Sequence, residues 1–356
     1  MRRGGRAIAG EVPAARARGN GPVDPHRVVY PAIDLSSRPP FRCDLGLRPL
    51  ILKLENIEMS RDLNRRELLL AGGALWLGAG TMGRALGASA KATKKVLFFT
   101  KSAGFEHSPI HRGRDGSLGM AEKILIDIGK EHGFEVVASK DGRLFDPDKI
   151  GQWDAFAFYT TGNLRVAGAD KTPPMSADGE QALYDAIRGG KGFIGMHSAT
   201  DSFSHHRNRG ADDPFVQMIG GEFIIHGAQQ KVTIEVVDRH FPGLENGFGE
   251  SGEFTLLDEW YTLKHMPDDL HVIMVQVTKG MKGHMYERPN FPITWARAYG
   301  KGRVFYTSLG HREDVWENPK YQGLLIGALC WATGKVDANI EPNVKQVTPH
   351  CNQLPS

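Results

Sequence analysis

The sequence predicts an α/β domain built on a doubly wound, mostly parallel sheet with an antiparallel extension. Three observations predict it. Short continuous apolar runs (VLFFT, AFAFYT, FIGMH) read as strands buried on both faces. Stretches with apolar residues at helical spacing lie between them, the alternation expected of parallel strands with crossover helices. Beyond residue 230, strand-like segments follow one another without long helices between them.

Along the chain, residues 96–100 (VLFFT) make the first strand. A loop leads to a helix over 117–132, in which Leu118, Ile124, Leu125 and Ile128 share one face. Residues 134–138 and 155–160 give the second and third strands. The helix over 176–189 is opened by Ser176, carries acidic residues in its first turns and is closed by Gly189-Gly190. Residues 193–197 (FIGMH) form the fourth strand. Segments 231–237, 253–263 and 271–278 make the extension. Strands over 293–298 and 303–308, joined through Tyr299-Gly300-Lys301-Gly302, form a hairpin. An apolar helix over 321–332 closes the domain, and 334–356 is expected to be an extended, loosely held tail. No internal repeat is present.

The net charge of +3 is misplaced. Residues 1–58 hold ten Lys/Arg and six Asp/Glu, and residues 59–90 hold four and two, which leaves −3 on residues 91–356. A mildly acidic body has no electrostatic footprint for nucleic acid. Residues 59–90 have the order of a cleaved export signal: Met59, the pair Arg65-Arg66, a glycine-rich apolar run, and the small-residue end Ala88-Ser89-Ala90. The arginine pair points to the twin-arginine route and a periplasmic or extracellular destination. The run is too short and glycine-rich for a good membrane span, so no stable span is expected after processing. Residues 1–58, rich in Arg, Pro and Gly, are expected to be disordered and to belong to an overlong gene model starting upstream of Met59. The cysteines Cys43, Cys330 and Cys351 make no disulfide framework, and Cys330 lies in an apolar run as an expected inert core residue.

In an open parallel sheet, ligands bind beyond the carboxyl ends of the strands. The first strand is followed by His107 and His111; the fourth ends at His197, with Asp201 close behind; the strand RVFYTS runs into His311 and Glu313. A lone histidine at a strand end is more often a hydrogen-bonded structural residue, about two times in three. His197 is favoured over that base case because a buried strand ends on it and turns sharply through small residues. His205 and His206, in a charged loop, are expected to be solvated, and His132, His240, His265 and His271 to be surface or structural residues.

The stretches TKSAGFEHSPI, GKGFIGMHSATD, IGGEFIIHG, DEWYTLK and PITWARAYGKGRVFYTSLGHRED resemble the ThuA-like (trehalose-utilisation) family and together cover residues 94–333. The resemblance implies a class I glutamine amidotransferase-like (flavodoxin-like) fold and a link to utilisation of trehalose and related disaccharides. True amidotransferases place a nucleophilic cysteine at the strand-four turn and a His-x-Glu pair after a late strand. Here His197 occupies the turn while His311-Arg312-Glu313 keeps the spacing. Without a thiol there, thioester-based glutamine hydrolysis is not available.

Two catalytic readings follow. In the first, His197, Asp201, His311 and Glu313 perform acid–base chemistry on a sugar, as a lyase or hydrolase acting beside the carbonyl of a keto sugar. His107, His226, Glu259, Tyr261 and Trp295 would then contact the carbohydrate, Trp295 through a pyranose face. In the second, His107, His197, His226 and His311 gather around a divalent ion such as zinc, with Asp201 as an oxygen ligand. No HxH or HExxH spacing supports it, so it depends on tertiary proximity. A third, non-enzymatic reading is a sugar-binding module, for which Trp260, Trp295 and Tyr261 are candidates, with Trp260 expected in the core. The expected partner is a small-molecule carbohydrate, or in the metal-dependent reading a small polar substrate, and association into a homo-oligomer is left open.

Overall fold

The computed structural model describes residues 93–204, 209–244 and 252–356. The expected disordered leader, the export signal, Cys43, His205 and His206 lie outside the described residues. Among the described residues, eleven strands form a nine-stranded sheet and a two-stranded one. They are β1 (Lys94–Phe99), β2 (Phe134–Ser139), β3 (Ala155–Phe158), β4 (Gly192–Met196), β5 (Glu222–His226), β6 (Gln230–Val236), β7 (Glu253–Asp258), β8 (Tyr261–Lys264), β9 (His271–Gln276), β10 (Phe291–Tyr299) and β11 (Gly302–Thr307). The large sheet has the order β2-β1-β3-β4-β11-β10-β9-β6-β7. Pairing is parallel from β2 to β11 and antiparallel from β11 to β7.

The apolar runs become central strands because both faces are covered. Val96 to Phe99 and Ala155 to Phe158 are fully buried. The helix α1 (Met120–His132) connects β1 to β2, and α2 (Ala177–Arg188) connects β3 to β4. The two connections travel in opposite directions along the sheet, so right-handed crossovers put the helices on opposite faces. Ser176 caps α2, its hydroxyl accepting the Gly179 N–H. The short helix α3 (Pro214–Ile219) meets α2, whereas α4 (Glu313–Trp316) and α5 (Pro319–Ala332) meet α1.

Two expectations are corrected. The single strand read over 253–263 is two strands in different sheets: β7 pairs with β6, and β8 pairs with β5. The break falls at Glu259-Trp260, where the Asp258 carboxylate accepts the Glu259 N–H and Trp260 anchors its indole on the Gln230 carbonyl at 2.7 Å. The tail is not loosely held. The His271–Val272 end of β9, with Leu270 just before it, extends past the pairing with β6, and Asn343 covers that edge. Its side chain accepts from the Val272 N–H and donates to the Val272 carbonyl, and its backbone N–H donates to Leu270. A last helical turn, α6 (Val344–Val347), follows, and Asn352 pairs with both backbone groups of Met266. Cys330 is fully buried but is not a free thiol, whereas Cys351 is a buried free one. Among the described residues no helix is long and apolar enough to cross a membrane.

Candidate active site

The carboxyl ends of β1, β3, β4 and β11 lie on one edge of the parallel sheet, and β7, which runs the same way, ends there too. The loops at this edge are pinned to one another. Ala103 donates to the Thr161 carbonyl, Gly162 donates to Asp201, and Thr161 Oγ1 donates to the Phe105 carbonyl. Gly162 is required at this crossing: it has φ +69° and an added Cβ would lie 2.7 Å from the Gly104 nitrogen.

His197 is the first residue after β4 and is fully buried. Its φ of +43° places a non-glycine residue in the left-handed region, a strained turn of the kind that persists where surrounding contacts hold it. Its Nδ1–H donates to the Ser308 carbonyl at 2.9 Å, which leaves Nε2 as the ring's lone-pair atom. Tyr306 Oη donates to the His197 carbonyl. The Tyr261 ring lies 4.4 Å from the His197 ring and walls off one side.

His107, His311 and Glu259 close around it. Their donor atoms, with that of His197, all lie within 4.8 Å of one another. His311 Nδ1 is 3.3 Å from His197 Nε2 and 3.2 Å from Glu259 Oε2, and His197 Nε2 is 3.6 Å from the same oxygen. The second carboxylate oxygen, Oε1, faces His226 Nδ1 at 3.1 Å. His107 is buried edge-to-face against both other imidazoles, and its Nδ1 has no hydrogen-bond partner. The buried hydroxyls of Ser102, Ser198 and Ser308, each beside a rim loop, are likewise without partners.

Burial pushes the His107 ring well below the usual histidine range, and the charges of His197 and His311 push the same way. Burial also lowers His197, partly offset by its interaction with Glu259. For His311, burial is outweighed by Glu259, and its value is raised. Glu259 is desolvated, yet His197 and His311 hold its carboxyl well below the ordinary range, so it stays ionised. The site therefore holds two neutral imidazoles, one readily protonated imidazole and a carboxylate.

Of the residues singled out in the sequence, His107, His197, His311 and Glu259 come together, with His226 half-exposed at the margin. Glu259 is part of the reactive cluster rather than a peripheral sugar contact. The other acids do not join it. Glu313 opens α4 on the exposed side and reaches His311 only as a distant charge, so the His-x-Glu spacing does not deliver the carboxylate. Asp201 ends the turn after His197, and its charge is felt at Tyr261. Trp295 is fully buried with its indole N–H bonded to the Ile219 carbonyl, so it has no face for a pyranose. Tyr261 and Trp260 are buried as well.

Three contributors were missed. Asp258, fully buried, accepts the N–H groups of both Gly310 and Glu259 and so ties together the loops that carry His311 and Glu259. Burial pushes its carboxyl up to about 7. Tyr159, at the end of β3, donates to the Gly310 carbonyl and packs beside His107 and His197. Phe105 is 70 % exposed with its ring 5.0 Å from that of His107. The run AFAFYT, which ends on the site's edge, was the available signal for Tyr159; Asp258 needed the strand break to be seen.

The trehalose-utilisation (ThuA) family model matches residues 95–332. The chain belongs to this family. The membership supports a carbohydrate-related role. Among solved structures, similar ones include a ThuA-like protein from Bacteroides uniformis (17% identity, TM-score 0.49, covering 67% of this chain and 90% of that one). Another is a ThuA-like protein from Parabacteroides merdae (17% identity, TM-score 0.48, 69% and 92%). A β-galactosidase from Bacillus circulans also aligns (11% identity, TM-score 0.43), over 70% of this chain but 32% of its own. No curated protein matches in sequence.

Proposed function

We propose that this ThuA family member is an exported carbohydrate-active enzyme, a lyase or hydrolase acting on an oxidised (keto) disaccharide. One observation carries the reading: three imidazoles and an ionised carboxylate from distant segments meet at the carboxyl edge of the sheet, centred on a strained residue. Buried titratable groups with displaced pKa values, gathered in one place, mark functional sites.

The reaction class follows from the groups available. A keto sugar carries an acidic C–H beside its carbonyl. A base takes that proton, the enolate expels the glycosidic oxygen at the β-carbon, and an acid protonates the departing oxygen. The products are an unsaturated sugar and an alcohol, and addition of water across the new double bond completes a net hydrolysis. His197 Nε2, with its tautomer held by Ser308, suits the base. His311, whose protonated form Glu259 stabilises, suits the acid. His226 and the exposed ring of Phe105 stand where hydroxyls and an apolar sugar face would meet the protein. A plain sugar-binding module is less favoured, because Trp260, Trp295 and Tyr261 are all buried.

The scaffold fits a flavodoxin-like, class I glutamine amidotransferase-like origin: the order β2-β1-β3-β4 is the flavodoxin-like arrangement, with a histidine where those enzymes carry cysteine. The export part of the reading rests on Arg65-Arg66, the apolar run and Ala88-Ser89-Ala90. Incubating the purified protein with disaccharides and their keto derivatives, with product release followed by mass spectrometry, tests the activity. Release from the keto forms alone is expected. Binding of these sugars without turnover would replace the enzyme by a binding module.

A further inference from the structure

The proton inventory of the cluster does not close. His197 commits its one N–H to Ser308, so Nε2 is a bare lone pair. Glu259 Oε2, 3.6 Å away, is an acceptor too. His311 Nδ1 can point one proton at one of them, not both. His107 Nδ1 is buried with no partner at all. Acceptors thus face each other in a buried space, which is costly unless something positive lies between them.

The distances say what kind of ion fits. A tetrahedral zinc ion with bonds of roughly 2.0–2.1 Å separates its ligand atoms by about 3.4 Å. The triangle formed by His197 Nε2, His311 Nδ1 and Glu259 Oε2 has edges of 3.3, 3.2 and 3.6 Å. That is one face of such a tetrahedron, and His107 supplies the fourth donor within 4.8 Å of the others. The outer shell is in place as well. The Ser308 carbonyl orients His197, and His226 Nδ1, which hydrogen-bonds the Gly227 carbonyl, lies 3.1 Å from the remaining oxygen of Glu259. Three imidazoles and one carboxylate select zinc and its transition-metal neighbours over magnesium or calcium.

We propose that His107, His197, His311 and Glu259 form a binding site for one divalent transition-metal ion of the zinc class. The site deepens the carbohydrate reading above while changing two roles in it: with the lone pairs of His197 Nε2 and His311 Nδ1 committed to the ion, neither atom would move a proton, and zinc would serve as a Lewis acid for a sugar carbonyl or hydroxyl. It rests on the cluster geometry and not on the identity of the sugar. Glu259 takes the oxygen-ligand position considered for Asp201, and His226 supports a ligand rather than serving as one.

Zinc is the probe for the test. Full-length protein carrying no histidine tag is stripped with a chelator, dialysed against Zn²⁺ and assayed by elemental analysis and by competition with a chromophoric chelator. One zinc per chain is expected. His107→Ala and His311→Ala should each weaken binding on the order of 100-fold or more, beyond what loss of a supporting residue does. His284→Ala, at an exposed histidine paired with Glu287, should leave binding unchanged. Circular dichroism checks that the variants fold, and zinc-induced thermal stabilisation of the wild type but not of the foldable, conservative His311→Gln gives a second readout. Stoichiometry below one, or equal affinity in the wild type and the His107 and His311 variants, overturns the proposal. Sugar turnover by zinc-free protein that also takes up no zinc at these residues would overturn it while leaving the acid–base reading standing. Zinc bound at these residues without turnover of any keto sugar would uphold the site and remove the substrate reading.

Discussion

Replacing His197 by asparagine separates function from stability at this site. The backbone there is left-handed, at φ +43°. Histidine sits in that conformation at a cost of about 1–2 kcal/mol on the general scale, and asparagine tolerates it better than most residues. The change recovers roughly 1 kcal/mol of strain. Against this, the ring is fully buried with neighbours at 4.4, 4.8 and 5.1 Å, and truncating it costs about 1–3 kcal/mol in lost packing. The bond to Ser308 is worth about 1 kcal/mol and is kept only where the shorter amide reaches the carbonyl. The net expectation is destabilisation by about 0–3 kcal/mol, which a domain of typical stability survives. Turnover of the keto disaccharide should fall by a factor on the order of 10²–10⁴, because neither a basic nitrogen nor a metal ligand remains at that position. Urea denaturation gives the first number and steady-state kinetics per folded molecule the second. Turnover within a few-fold of wild type, alongside a stability loss of the expected size, would show that His197 is a core residue and that the site has been misplaced.

Two further outcomes are expected. His271 lies between two acceptors, the Asp238 carboxylate at 2.9 Å and the Glu341 carbonyl at 2.8 Å, so both ring nitrogens must carry protons; burial opposes this, but the pair outweighs it and raises the histidine's value. A raised value means that its stabilisation, on the order of 1 kcal/mol, is fully present below about pH 6.5 and fades as pH climbs through the folded value, so the gap in stability between wild type and His271→Gln should narrow above pH 6.5; a gap that is constant to pH 9 would refute the charged pair. Amino-terminal sequencing of the mature protein should begin at Lys91, after Ala88-Ser89-Ala90, and a mature chain beginning before Met59 would refute the export signal.

What could be read from the sequence divides along a physical line. The runs VLFFT and AFAFYT identify central strands because only a strand covered on both faces is apolar without interruption. Three imidazoles could be found in advance because a parallel sheet delivers whatever follows its strands to one edge, so position in the chain translates into position in space. The carboxylate follows no such rule. Spacing after His311 pointed to Glu313, but that residue is the exposed first position of a short helix whose other three residues are buried. Glu259 comes instead from within what reads as one strand, TLLDEWYTLK, where apolar and polar residues continue without a turn signature. The break is made by Trp260 bonding to Gln230, thirty positions away in the chain, and by Asp258 gripping Gly310 from the other side of the site. Trp295 was misread for the same reason, since the pocket that buries its ring is formed by Gly220 and Gly221 of another segment. The antiparallel extension therefore does more than widen the sheet. It carries Glu259 into a rim of imidazoles, where that carboxylate is the largest of the charges that stabilise a protonated His311, ahead of Asp258 and Glu313. The parallel half supplies the nitrogen donors, the extension supplies the carboxylate, and Asp258 is the side chain that bonds to both.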